Sequence, residues 1–430
     1  MTTLTVPQGA ALSIGAVLGT GVIALPALAA DIAGPASLVA WLALIALSAP
    51  LAATFAALGA RYPDAGGVST YVRRAFGPRA SAVVGWCFYF AIPCGAPPAA
   101  MFAGGYVAAA LGGGMRTTLG TAALLIAAVT VTNLFGLRVS GRLQLGLAAL
   151  LAALLLTTTI TALPHARLDN LQPFAPHGWL AIGPAAAMLV WAFAGWEAVT
   201  HLTGDFRDPA RDLPRATAIA VVVVGVLYFG IAATSVLVLG AAAGSTDAPL
   251  AELLATGVGF SATGGAGIRL LTAAVAVLLT LGTMNAYFAG AAKLGAALGR
   301  DGALPAWFAG GTSRRSLTVL AGLSTMTLGV IAVAGLDPHP LVLLTSGCFA
   351  LVYVLGTAAA LRLLPRGGRS HRAALVAFAA VVVLLLMTGR YVVGALVIAL
   401  AALAYTRYRR PTPAKDQGVP DVVLTTTGTP

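Results

Sequence analysis

An all-α polytopic membrane protein is the fold class this sequence predicts. It should have twelve transmembrane helices: a five-plus-five inverted-repeat core, with helices 1 and 6 broken, and two extra C-terminal helices. Three observations predict it. The 430 residues are 59% hydrophobic and 9% charged, with mean hydropathy +0.92, whereas a soluble domain carries about 25% charged residues. Apolar stretches long enough to cross a hydrocarbon core of about 30 Å recur from end to end. Two of them, the first and the sixth, are interrupted by glycines at corresponding places.

Hydropathy and Gly/Pro punctuation set the spans at roughly 10–30, 36–59, 80–110, 118–137, 143–163, 179–202, 216–240, 266–298, 317–335, 340–363, 373–389 and 391–408. These make a single transmembrane domain over 1–410. Repeat one covers about 10–163, repeat two about 179–363, and the extra helices about 373–408. An odd number of spans per repeat forces the inversion. The tail 411–430, rich in Pro, Thr and Gly, is expected to be disordered and cytoplasmic. Only "MTGRY" (387–391) separates the last two spans. An unbroken helix over 373–408 would reach about 54 Å, so a hairpin is expected there.

Charge supplies the orientation. With both termini inside, 21 of the 25 basic residues fall on inner loops and the tail, and only Arg116, Arg167, Arg269 and Arg390 lie outside. The net charge of +12 is then topological and implies no nucleic-acid partner. "ALPALAAD" (24–31) imitates a signal-peptide cleavage site, but residues 1–12 lack Lys and Arg and the apolar stretch is broken, so it reads as a retained first helix. Arginine outnumbers lysine 23 to 2, a habit of GC-rich bacterial genomes, and the expected location is a bacterial inner membrane. Cys87, Cys94 and Cys348 lack metal or redox spacing and read as free thiols packed between helices.

The two interrupted spans carry the chemistry. Span 1 reads "SIGAVLGTGVIALPALAA" (13–30) and span 6 contains "WAFAGWEAVTH" (191–201). Glycine lets backbone leave helical geometry, which at membrane depth is tolerated only inside protein or along a cavity. Unwound ends are useful there: free N–H groups with the positive dipole end hold a carboxylate, and free carbonyls hold an ammonium or a cation. Interrupted segments at matching places in two halves point to a transporter binding site. The glycines of span 1 alone would also serve close helix packing.

With those residues in view, the chain resembles the amino acid–polyamine–organocation (APC) transporters, of LeuT-like fold. "IGAVLGTGVIALP" is similar to their first helix, "YPDAGGVSTYVRRAFGP" (62–78) to their first cytoplasmic loop, "FAGWEAVTHLTGDFRDPARDLPRA" (193–216) to their sixth helix and the loop after it, and "AAKLGAALGRDGALPAWF" (291–308) to the end of their eighth. The motifs most resemble the bacterial exporter branch for methionine and branched-chain amino acids. The resemblance implies that amides of Gly19, Thr20 and Gly21 bind a substrate α-carboxylate. It implies that carbonyls of Phe193, Ala194 and Gly195 receive the α-amino group, and that Trp191 or Phe193 covers the substrate. A role in gating or proton sensing falls to Glu197. Span 5, "RLQLGLAALLAALLLTTTIT", departs from the family: several proton-coupled members carry a lysine there, and here the only cation is Arg142 at its edge. A proton is the expected coupling ion, with sodium left open, and no other cofactor is expected.

Glu197 is the only acidic residue in the middle of a predicted span. A charge at the bilayer centre costs about 2.5–3.5 kcal/mol on insertion scales, a cost that taking up a proton removes. The plainer reading is a carboxyl that bonds a neighbouring backbone carbonyl and holds the broken helix in shape. Glu197, His201 and Asp205 fall at i, i+4 and i+8, so they share a helix face. No further ligands complete a metal site, and the stripe reads as a solvated or ion-paired helix end in which His201 could relay protons to Glu197. "DFRDPARDLPRA" is either an ion-paired loop, with Pro209 and Pro214 ending and restarting helices, or a cytoplasmic gate. Trp86, Phe88, Tyr89 and Phe90 read as packing residues, and Pro93, Pro97 and Pro98 kink span 3 in a way that could widen a cavity beside it. Thr280, Thr283 and Asn285 could ligate sodium but fit interhelical hydrogen bonds better.

The expected function is secondary active transport of a neutral apolar amino acid across the lipid bilayer, by proton-coupled efflux. An importer of the same fold is the alternative, and a polyamine or organic-cation transporter the remote one. An enzyme is not expected: HExxH, paired aspartates for a metal and a Ser/His couple in facing spans are all missing. Filter signatures of a channel are missing too.

Overall fold

A computed structural model describes residues 4–62, 67–136, 141–197, 206, 208–259, 265–309 and 313–408. Among them the only strand pairing is an isolated bridge between Leu4 and Phe206; the rest is helix and connection. The predicted tail, 411–430, lies outside the described residues.

In chain order the first span is α1 (Val6–Val17) and α2 (Leu25–Ala33), and the second is α3 (Ser37–Arg61). A short helix, α4 (Val68–Phe76), precedes the third span, α5 (Pro78–Leu111); α6 (Met115–Leu134) and α7 (Gly141–Ala162) complete the first repeat. The second opens with α8 (Ile182–Leu189), then α9 (Pro209–Thr234), a short α10 (Pro249–Gly257), α11 (Ala266–Arg300), α12 (Arg314–Ala334) and α13 (His339–Leu363). The extra helices are α14 (Arg369–Met387) and α15 (Val392–Tyr408).

Among the described residues, ten helical stretches are long and apolar enough to cross a membrane. The one that starts the chain's set, Leu25–Arg61, joins α2 to α3. Its 37 residues would span about 55 Å, too long for one crossing, and Gly34 at φ +60° interrupts it. The two predicted crossings that fall short of a full-length helix are the first and sixth, where α1 and the Trp179–Phe193 segment are apolar but short. The twelve spans are thus ten whole and two split. Helices α5 and α11 exceed the bilayer thickness at about 51–53 Å, a length that tilting accommodates.

The packing repeats itself between the halves. α1 packs on α9 as α8 packs on α3, and α5 meets α6 as α11 meets α12. α6 lies on α11 as α12 lies on α5, and the short α4 leans on α13 as the short α10 leans on α7. Each pair exchanges first-repeat for second-repeat helices, which is what an internal two-fold relation requires.

Gly389 (φ +61°) makes the expected turn between α14 and α15. The two helices then take different neighbours: α14 lies on α3, α8 and α13, and α15 on α5 and α13. Large apolar side chains face outward on the peripheral helices, among them Leu124 (73% exposed), Val333 (91%) and Leu400 (64%); a hydrocarbon surround makes that favourable. Inside, polar groups join elements. Trp86 Nε1 donates to Ala303 O at 2.7 Å, the Tyr89 hydroxyl donates to Ser316 O at 3.0 Å, and that of Tyr106 donates to Ile23 O at 2.7 Å. The aromatics of span 3 therefore pack and fasten, as expected. α5 runs through Pro93, Pro97 and Pro98 without interruption. α9 likewise begins at Pro209 and continues through Pro214. The expectation that Pro214 bounds a helix is corrected: it lies in the second turn, where the missing N–H costs one bond and no break.

Candidate functional site

Both interruptions fall at glycines. α1 ends at Val17; Leu18 (ψ 89°) and Gly19 (φ −117°, ψ −171°) are extended, and Thr20–Ile23 form a 3-10 turn that leads into α2. The amides of Gly19, Thr20 and Gly21 stand at the start of a helical segment, where no preceding turn supplies acceptors and the dipole end is positive. α8 ends at Leu189, continues as a 3-10 turn over Val190–Phe193, and opens at Ala194 (ψ 134°). Gly195 then takes φ +127°, and a Cβ there would sit 2.6 Å from Ala16 O. A Cβ on Gly21 would sit 3.4 Å from Ala192 Cα. The two breaks cross in direct backbone contact.

Tyrosines hold the crossing. The Tyr228 hydroxyl on α9 is shared between Val17 O (2.8 Å) and Ala192 O (3.1 Å), one carbonyl from each broken span. Glu197, 8% exposed, accepts the Gly195 N–H at 3.0 Å and the Tyr353 hydroxyl at 2.6 Å. Gly195 N–H also reaches Tyr353 Oη at 3.3 Å. Both of these partners present a proton to the carboxylate, and the bond to Tyr353 ties span 6 to α13. Trp196 Nε1 donates to Ser48 Oγ at 3.1 Å and fixes the same stretch to α3.

A cavity of about 250 Å³ lies at the crossing, between α5, α11 and α13. Gly19, Thr20, Gly21, Trp191, Ala194, Gly195 and Glu197 all line it. Phe193 does not: its ring packs on Trp41 (6.0 Å between centroids) and Tyr228 (5.3 Å). Of the two aromatics offered as a cover, the one facing the cavity is Trp191, tilted against Phe102 with 6.1 Å between ring centroids. His201 and Asp205 lie outside the described residues, so the i, i+4, i+8 stripe is represented by Glu197 alone. Among the described residues no three His, Cys, Asp or Glu side chains gather as metal ligands.

The remaining wall comes from residues in α5, α11 and α13: Ile92, Gly95, Met284, Tyr287, Phe288, Thr345 and Phe349 line it with others. It is mostly apolar. Thr283, Tyr287 and Thr345 add polar groups to it, and the buried hydroxyl of Thr345 has no partner. Gly95 leaves room for it, since a Cβ there would lie 3.2 Å from Thr345 Cγ2 and 3.4 Å from Trp191 Cη2. Of the span 8 trio, Thr283 lines the cavity and Thr280 is buried elsewhere in α11. Asn285 Oδ1 accepts from Asn133 Nδ2 (2.7 Å) and Thr132 Oγ1 (3.1 Å), an interhelical bond as expected. The cysteines are free thiols, two buried and one half-buried.

Comparison with known proteins agrees with this geometry. Residues 4–408 match the profile described as amino acid permease. The uncharacterized amino acid permease YecA of Bacillus subtilis is 33% identical over 93% of this chain and 94% of its own. The L-methionine/branched-chain amino acid exporter YjeH of Escherichia coli is 34% identical over 94% of this chain and 96% of its own. The branched-chain amino acid permease BcaP of Bacillus subtilis is 26% identical over 52% of each.

Proposed function

The chain belongs to the amino acid permease family, and on that premise we propose that it exports a neutral, apolar α-amino acid across a bacterial inner membrane by proton-coupled alternating access, with both termini cytoplasmic. The observation that carries the reading is the crossing of two broken helices at one cavity, with opposite dipole ends facing it. In this reading the α-carboxylate lies on the amides of Gly19, Thr20 and Gly21. The α-ammonium lies on carbonyls of the Phe193–Gly195 stretch, and the side chain rests among Trp191, Ile92, Phe288 and Phe349. Thr345 offers its open hydroxyl to the carboxylate.

Substrate charge follows from what the wall lacks. Among the described lining residues Glu197 is the one carboxylate, and it is already engaged by Gly195 and Tyr353. A cationic side chain would face apolar surface with no counter-charge. Export is favoured by the similarity to YjeH, which is named as an exporter of methionine and branched-chain amino acids. Coupling is assigned to Glu197: a proton taken up there removes the charge that draws the Gly195 amide and the Tyr353 hydroxyl, and span 6 is released from α13.

Counterflow in proteoliposomes loaded in turn with leucine, methionine and arginine tests this. Exchange of leucine and methionine, accelerated by an imposed pH gradient, is the expected result. Exchange of arginine alone would overturn the substrate class and turn the assignment to organic cations. Gly95→Ala tests the geometry of the pocket. Alanine suits a helix better than glycine, so the fold stands. The added methyl pinches Thr345 and Trp191 and raises the KM for leucine roughly tenfold; an unchanged KM would remove this wall from the binding site.

A further inference from the structure

At one corner of the Arg-rich membrane face, the ends of three helices bring guanidiniums together. Arg61 closes α3, Arg74 lies in the last turn of α4 and Arg362 in the last turn of α13. Arg61 and Arg74 both stack on the Tyr62 ring, at 5.9 and 5.0 Å from its centroid, and Arg362 stacks on Phe76 at 5.6 Å. The Tyr62 hydroxyl donates to Leu363 O at 3.3 Å, joining the end of α3 to that of α13. All three arginines are exposed. Their neighbour Arg73 pairs with Asp301 at 3.9 Å; among the described residues the three have no carboxylate within ion-pair distance. Acidic residues are scarce around them: apart from Asp64, which lies outside the described residues, 32–168 and 338–415 contain no Asp or Glu, and Arg366, Arg369 and Arg372 add exposed charge in the second of these stretches.

The topological bias toward inside arginine accounts for their number but not for this arrangement, because singly solvated arginines would satisfy it equally. Here each guanidinium lies over a ring, which orders it, and Arg61 Nε also donates to the Tyr62 hydroxyl at 3.4 Å. The fork of guanidinium N–H donors matches the paired oxygens of a phosphate. Phe76, 42% exposed, sits beside them as an apolar contact at headgroup depth. Basic pockets between transmembrane helices at a membrane surface take anionic headgroups.

We propose that Arg61, Arg74 and Arg362, with Tyr62 and Phe76, form a binding site for the phosphodiester headgroup of an anionic phospholipid. The bound lipid clamps the ends of α3 and α13. α13 also carries Tyr353, which holds Glu197, so occupancy stabilises the helix that grips the broken span. The site stands independently of what the cavity transports.

Native mass spectrometry of the full chain in detergent tests it, with cardiolipin and phosphatidylethanolamine as probes. Wild type is expected to retain cardiolipin in preference to phosphatidylethanolamine. The triple variant Arg61→Gln, Arg74→Gln, Arg362→Gln is expected to bind it roughly hundredfold more weakly. Arg300→Gln, Arg314→Gln, Arg407→Gln removes equal charge from exposed positions elsewhere and is expected to leave binding intact. Equal loss in both triples, or no preference in wild type, would overturn the site. Displacement of cardiolipin by inorganic phosphate, but not by chloride at matched ionic strength, would reassign it to a soluble phosphate ester. A single Arg362→Gln, expected to weaken binding severalfold, serves if the triple does not elute as a folded monodisperse species.

Discussion

Gly195→Ala abolishes transport and destabilises the protein by about 3 kcal/mol or more. Two costs combine. A residue with a Cβ is strained at φ +127°, on the order of 1–3 kcal/mol for such backbone. Its methyl would also lie 2.6 Å from Ala16 O, and that carbonyl belongs to the other broken span, so relief requires the two breaks to part. Thermal unfolding followed by size-exclusion in detergent, beside uptake at a permissive temperature, measures both effects. Gly290→Ala is the control: a Cβ there meets nothing within 4 Å, and neither readout should change. Transport at the wild-type rate in Gly195→Ala would show that the crossing is not the working geometry.

Glu197→Gln makes transport independent of pH while the protein still folds. The amide oxygen keeps an acceptor for the Gly195 N–H and the Tyr353 hydroxyl, so the shape of span 6 survives; what is lost is a group able to take and release a proton. Tyr353→Phe separates the two roles. It removes a 2.6 Å bond to the carboxylate, of the kind worth about 1.5–3 kcal/mol, yet leaves the titrating group. Its rate should fall roughly tenfold or more, with the pH profile displaced but not flattened. Initial rates of exchange between about pH 5 and 9, on either side of neutrality, distinguish these outcomes. A pH-dependent Glu197→Gln would end the coupling role of this residue.

Much of the architecture was legible because membrane spans are written locally. Twenty apolar residues announce a crossing wherever they occur, and Gly19, Gly21 and Gly195 mark the breaks; at Gly195, with φ +127° and a Cβ that would meet Ala16 O at 2.6 Å, only glycine fits. The tyrosines were not legible. Tyr228 sits in "VVVVGVLYFGIAAT" (221–234) and Tyr353 in an equally apolar run, where an aromatic reads as packing. Their partners are 36, 211 and 156 residues away. The one available signal was that a hydroxyl at mid-span needs an acceptor. Phe193 and Trp191 flank the same break two residues apart, and only the 3-10 turn over Val190–Phe193 decides which ring faces the cavity. Thr345 was silent for the opposite reason: its distinguishing property is a bond it does not make.

The Tyr228 hydroxyl has one proton and two claimants, Val17 O and Ala192 O. A single O–H cannot serve both at full strength. Its proton can swing from one carbonyl to the other while the hydroxyl stays bonded, so α9 acts as a pin about which the two broken spans can shift past each other without orphaning a buried polar group.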